Sequence, residues 1–118
     1  DSLSHIEISP DGSRALATLN KSNEVLWLKV EAGGELSILA RAQAGEGPYA
    51  ARFFPDGRRA AVASIWTDDV RILEFPGDRI EVVERLAVGR IPEGIEISPD
   101  GTRLAVSCLE GTNLTDSS

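Results

Sequence analysis

Methionine is absent from this chain of 118 residues, cysteine and histidine occur once each, and aromatic residues make up only 5%. Each shortage excludes something. Cys108 has no second cysteine to pair with, so an internal disulfide is impossible and cysteine usage does not decide the compartment. Set in an apolar run, it reads as a small buried side chain. With His5 the only imidazole and no Cys-His spacing, neither a protein-built metal site nor a haem is expected, and no cofactor is assigned. No apolar stretch approaches the roughly 18 residues that a membrane-spanning helix needs, so no membrane insertion is expected. A nucleophile elbow, a phosphate loop, an Asp-rich calcium loop and triad spacing are all missing, so no catalytic residue is assigned. A start at Asp1 without methionine or a charged-then-apolar leader leads us to expect a processed end or a piece of a longer chain.

Positive charge is also in short supply. Twelve Lys and Arg face 19 Asp and Glu, a net charge of −7 spread without runs. Neutralisation of phosphates by cations supplies most of the affinity for nucleic acid and anionic lipid, so neither is an expected partner.

What the chain does contain is a repeat. Ile8-Ser9-Pro10-Asp11-Gly12-Ser13-Arg14 returns as Phe53-Phe54-Pro55-Asp56-Gly57-Arg58-Arg59 and as Ile97-Ser98-Pro99-Asp100-Gly101-Thr102-Arg103. Pro10 and Pro55 are 45 residues apart, Pro55 and Pro99 are 44 apart. Pro presets φ for a turn, Asp bonds its own backbone and Gly accepts positive φ, so each copy predicts a hairpin. An alternating segment precedes each copy and a small-apolar run follows it (15–19, 60–65, 104–108). A third run, 25–30 or 70–75, is apolar on both alternating faces, as in a strand covered on both sides. A fourth run follows at 36–40 and 80–88. Four antiparallel strands in a repeat of about 44 residues match the blade of a β-propeller.

The expected fold is therefore all-β, a β-propeller fragment of about two and a half four-stranded antiparallel blades. Residues 1–118 form part of one domain, with blades at 4–43 and 48–88 and a partial blade at 92–118 that supplies two strands before the chain stops. Propellers close with roughly 4–8 blades, and a blade buries its faces only against its neighbours. The expected partners are the remaining blades of the same protein, or identical copies that complete the ring.

The residues of these strands resemble the YVTN-type, WD-like β-propeller repeats of bacterial and archaeal secreted proteins, which form seven-bladed rings. Pro92-Glu93-Gly94-Ile95-Glu96-Ile97-Ser98-Pro99-Asp100-Gly101 with Leu104-Ala105-Val106 fits that pattern, as does Ala17-Thr18-Leu19-Asn20-Lys21-Ser22-Asn23-Glu24-Val25-Leu26-Trp27-Leu28. The middle copy departs from it at Pro48-Tyr49-Ala50 and Thr67-Asp68-Asp69. The resemblance implies a periplasmic or extracellular location. It does not single out a function, since similar repeats occur in surface-layer proteins, lactonase-like enzymes and the propellers of periplasmic redox enzymes. Lactonase-like members carry Pro-His at the start of a blade; here Pro48 precedes Tyr49 and Pro92 precedes Glu93.

A site needs to exist only once, so positions that break the repeat are the candidates. In the segment leading into a blade, Glu46 aligns with Arg90 and Tyr49 with Glu93. Trp66 stands where the first blade has Lys21, beside Asp68 and Asp69, and an aromatic side chain in a loop can stack on a ligand or anchor a partner. His5 precedes the innermost strand, where the other copies have Ala50 and Gly94. These eight residues predict a loop-lined face that binds a protein or small-molecule ligand. The alternative is a piece of a propeller enzyme, lactonase-like or redox, whose catalytic residues lie outside this chain. Trp27, aligned with Ile72, reads as core between blades.

Overall fold

The computed structural model describes residues 5–110 and 112–116. Strands β1 (His5–Ile8), β2 (Arg14–Leu19), β3 (Glu24–Val30) and β4 (Leu36–Gln43) form one antiparallel sheet in chain order. Strands β5 (Pro48–Phe53), β6 (Arg59–Ser64), β7 (Asp69–Glu74) and β8 (Glu81–Ala87) repeat that order in a second. The third contains β9 (Arg90–Ile97), β10 (Arg103–Glu110) and β11 (Thr112–Asp116). It therefore has three strands where the sequence predicted two. The run Thr112-Asn113-Leu114-Thr115-Asp116 is largely polar and lacks the two-faced apolar pattern of β3 and β7, so it carries no strand signal of its own.

The repeated Pro-Asp-Gly segments fold into one turn three times over. Gly12 N–H donates to Ser9 C=O, Gly57 to Phe54 and Gly101 to Ser98, each at 2.9 Å. In the outer two copies the aspartate closes a polar knot: Asp100 Oδ1 accepts from the Ser98 and Thr102 hydroxyls, both at 2.7 Å, and from Thr102 N–H at 3.0 Å. These bonds, the Ser98 hydroxyl foremost, draw the Asp100 carboxyl from 3.8 to about 2. Backbone and hydroxyl bonds from Ser13, then Ser9, lower Asp11 in the same way. The middle copy has Phe54 in place of the serine, fully buried, with the Arg59 guanidinium 4.2 Å from its ring centroid.

A folded-state pKa below the unfolded one stabilises the fold above the unfolded value and ceases to do so as pH falls through the folded one. The melting midpoint is therefore expected to fall as the pH is lowered from 3.8 to about 2, and Asp100→Asn to flatten that fall. An unchanged acid profile in the variant would remove Asp100 as a contributor.

The sheets pack face to face. Leu16, Val25 and Trp27 of the first meet Ala51, Ala60, Val62 and Leu73 of the second. Phe54, Ala61, Ala63, Val70 and Ile72 of the second meet Ile95, Leu104 and Val106 of the third. The second sheet is thus covered on both sides, which explains the apolar character of both faces of β6 and β7. Alanines at 60, 61 and 63, all fully buried, let the neighbouring sheets approach closely.

Trp27 is buried at the first junction, as expected of inter-blade core. Its indole stacks on Phe75 with ring centroids 3.7 Å apart and planes 5° from parallel. Its Nε1–H donates to Asp78 Oδ1 at 2.9 Å, and Arg14 donates to both oxygens of that carboxylate at 3.0 and 3.2 Å. Arg14, then the indole N–H, hold the Asp78 carboxyl below the usual range.

One apolar face has no cover among the described residues. Register places Ile6 beside Ala17, Ile8 beside Ala15, Ile38 beside Leu28 and Leu36 beside Val30, all on the side of the first sheet turned away from the second. Ile6, Ile8, Leu36 and Ile38 are exposed there, whereas the matching face of the second sheet lies under the first.

Candidate binding face

The first strands of the three sheets, β1, β5 and β9, adjoin one another and form the inner wall. Repeat-equivalent residues line up along it. Arg52 sits between Glu7 and Glu96: its Nη1 is 3.7 Å from Glu7 Oε2, its Nη2 donates to Glu96 Oε2 at 3.3 Å, and its Nε donates to Ile95 C=O at 3.2 Å. A cation flanked by two anions thus ties three blades together along the wall. Beside it opens a cleft of about 450 Å³ lined by His5, Tyr49, Arg52, Glu93, Glu96 and Ser107, among others. His5 Nε2 lies 3.2 Å from Glu7 Oε1. The Tyr49 ring is 42% exposed while its backbone carbonyl accepts from the buried Thr18 hydroxyl at 2.9 Å, so the ring stands on a fixed backbone.

The rim above the cleft is built from the segments leading into β5 and β9 and the turns between second and third strands. Glu46 N–H donates to Thr67 Oγ1 at 3.3 Å, Trp66 N–H to Glu46 C=O at 3.0 Å, and Ile65 N–H to Gly47 C=O at 2.9 Å. The Ser64 hydroxyl donates to Ala44 C=O. Trp66 is 66% exposed, yet its indole is seated: a Cβ on Gly47 would come within 2.3 Å of Trp66 Cδ1. Only glycine, here at φ 67, leaves room for that ring. Covering an indole that is already held costs little side-chain entropy.

The predicted residues divide into two groups. His5, Tyr49 and Glu93 line the cleft from strands β1, β5 and β9 and not from loops, Glu46 and Trp66 are exposed along the lead-in to β5 and the turn just described, and Arg90 is exposed as the first residue of β9. Asp69 lies beneath that surface, 2% exposed. Its carboxylate accepts from Thr67 Oγ1 at 3.1 Å, from Arg71 at 3.2 and 3.4 Å, and from Arg85 Nε at 2.7 Å. Asp68 points its Oδ1 at the Ile91 N–H, 2.9 Å away, inside the protein's own frame. Sequence reasoning missed Arg52. The signal was present: Glu7, Arg52 and Glu96 align in the repeat, and the middle one reverses sign, the same kind of break that marks Glu46 and Arg90.

Burial pushes the Cys108 thiol upward against a hydrogen bond from Gly89 N–H, which keeps it a poor nucleophile near neutral pH. Among the described residues no group of three or more His, Cys, Asp or Glu side chains is placed to hold a metal ion, and no helix is long and apolar enough to cross a membrane.

This geometry is that of a β-propeller, and solved structures agree. The chain superposes on a functionally unknown protein of Desulfotomaculum acetoxidans with a TM-score of 0.87 and 26% identity, covering 95% of this chain and 37% of that one. Hydrazine synthase of Kuenenia stuttgartiensis gives a TM-score of 0.84 at 24% identity, over 98% of this chain and 32% of the other. The periplasmic gluconolactonase of Pseudomonas aeruginosa gives 0.81 at 27% identity, over 89% and 32%. The chain therefore spans about a third of the length of these structures. No family model matches it, and no curated protein matches it at a significant level.

Proposed function

We propose that the chain is part of a propeller of the YVTN type from an exported bacterial protein, and that its channel-side rim binds a ligand or a protein segment. The observation that carries this reading is the seated but exposed indole of Trp66, on the same rim that leads down to the cleft of Tyr49 and Glu93. Blades outside this chain complete the ring and cover the face of Ile6, Ile8, Leu36 and Ile38. The length of the matched structures supports this reading over assembly from identical copies.

Trp66 and Trp27 are the two tryptophans of this chain, one exposed and one buried, and the difference in emission between wild type and Trp66→Phe isolates the signal of the rim. We expect titration of the intact protein with panels of polar small molecules and short peptides to identify a ligand that shifts that emission. Trp66→Phe should abolish the shift, and Tyr49→Ala should weaken the affinity for that ligand about tenfold, the loss of ~1.4 kcal/mol of contact. Both variants should melt as the wild type does. A ligand that binds Tyr49→Ala and Trp66→Ala with unchanged Kd would move the site elsewhere.

A second reading makes the chain part of an enzyme. Its support is the 27% identity with a periplasmic gluconolactonase. The same cleft would then admit a substrate whose reacting groups come from other blades, and lactonase activity in the intact protein, lost on filling the cleft with Ser107→Trp at an exposed lining position, would favour it.

A further inference from the structure

Both lead-in segments are tied to the preceding blade by the same device. Asn23, left-handed at φ 62 in the turn between β2 and β3, accepts at Oδ1 from Gly47 N–H at 2.9 Å. Asp68, left-handed at φ 52 between β6 and β7, accepts at Oδ1 from Ile91 N–H at 2.9 Å. The difference lies in the residue that is held. Gly47 takes up φ 67 without strain, whereas Ile91 stands at φ 55, a region that β-branched side chains all but avoid.

In the strained copy a single residue supplies two of the ties. Asp68 grips its segment twice, since its backbone carbonyl accepts from Val88 N–H at 3.1 Å while its carboxylate holds Ile91. On either side of Ile91 the strand register pairs Arg90 with Glu110 and Pro92 with Cys108 of β10. The relaxed segment is held by a neutral amide and the strained one by a carboxylate, whose charge-assisted hydrogen bond is roughly twice as strong. Backbone strain of this kind persists only where the surroundings enforce it.

We infer that residues 88–91, the two residues before β9 and its first two, are a strained segment for which Asp68 is the catch, and that this catch sets where Arg90 and Glu93 stand beside the cleft. Ile91 lies between those two residues in the chain, so its return to negative φ on release changes their relative orientation. The rim then has one fixed side, at Gly47, and one that is poised to move. The inference deepens the binding-face reading, yet strain and restraint are measured without any ligand.

The test is amide hydrogen exchange and thermal melting of the intact protein and its variants. Asp68→Gly tolerates the positive φ but deletes the acceptor; Asp68→Asn keeps an Oδ1, as Asn23 does. We expect Asp68→Gly to speed exchange at the Ile91 amide at least about tenfold, leaving the Gly47 amide as in wild type, and Asp68→Asn to stay within a few-fold. Ile91→Gly should raise the melting midpoint by a few degrees and remove most of the loss caused by Asp68→Gly. Because Ile91 is half-buried, Ile91→Asn, which also tolerates left-handed backbone, serves as the control for lost side-chain contact. Unchanged Ile91 exchange in Asp68→Gly, or a midpoint below wild type in both Ile91 variants, would overturn the inference. Should Asp68→Gly fail to fold, the Asp68→Asn and Ile91 variants decide it. A catch that behaves as stated beside a rim that binds nothing would sink only the binding-face reading.

Discussion

Replacing Trp27 with alanine is expected to lower the unfolding free energy by about 3–5 kcal/mol, the range for deleting a large buried aromatic side chain. Three separate contacts fail together in that variant. The stack on Phe75 at 3.7 Å is lost, the tilted packing on Phe53 at 5.9 Å is lost, and the donor to Asp78 disappears. Asp78 keeps Arg14, so the ion pair alone does not rescue the junction; with the carboxylate 41% exposed its separate contribution is small. Urea unfolding of the intact protein measures the effect. Trp27→Phe, which keeps a ring but not the N–H, should lose noticeably less than the alanine variant. Equal losses would show that the indole–carboxylate bond outweighs the stacking.

Asp69→Ala should also be strongly destabilising, by about 3–5 kcal/mol, because it removes the buried acceptor of a paired network. Arg71, 18% exposed, would be left without its carboxylate, and Thr67 without the acceptor for its hydroxyl. Thr67 in turn receives the Glu46 N–H, so the damage should spread to the segment leading into β5. Asp69→Asn retains an acceptor and should lose less. A ligand-binding carboxylate behaves differently, since its removal leaves folding intact. A wild-type melting curve for Asp69→Ala would return Asp69 to the rim as a binding residue.

The propeller was legible because one local signal recurs. Pro-Asp-Gly at 10–12, 55–57 and 99–101 fixes three hairpins through backbone rules that hold in isolation, and the spacing between copies leaves room for four strands. Trp27 could be placed between blades by its alignment with Ile72. β11 could not be found, because a polar strand forms by pairing with β10 and not by its own pattern. Among the site residues, the repeat separated structural from variable positions but was blind to direction. Asp68 and Asp69 both break the pattern, and both face inward, one to Ile91 N–H and the other to Arg71 and Arg85. Arg52 breaks it as well and faces the cleft. The partner that turns each carboxylate inward is remote in the chain, 23 residues away for Asp68 and 16 away at Arg85 for Asp69, beyond any local pattern.

The ties at Asn23 and Asp68 join residues 24 and 23 positions apart in the chain, so each turn finds its partner in the very next stretch of polypeptide. A blade leaving the ribosome can therefore be fastened as soon as the start of its successor has emerged, without waiting for distant segments. Ties of this reach favour fastening in chain order, each of these two sealing a blade to the one that follows it.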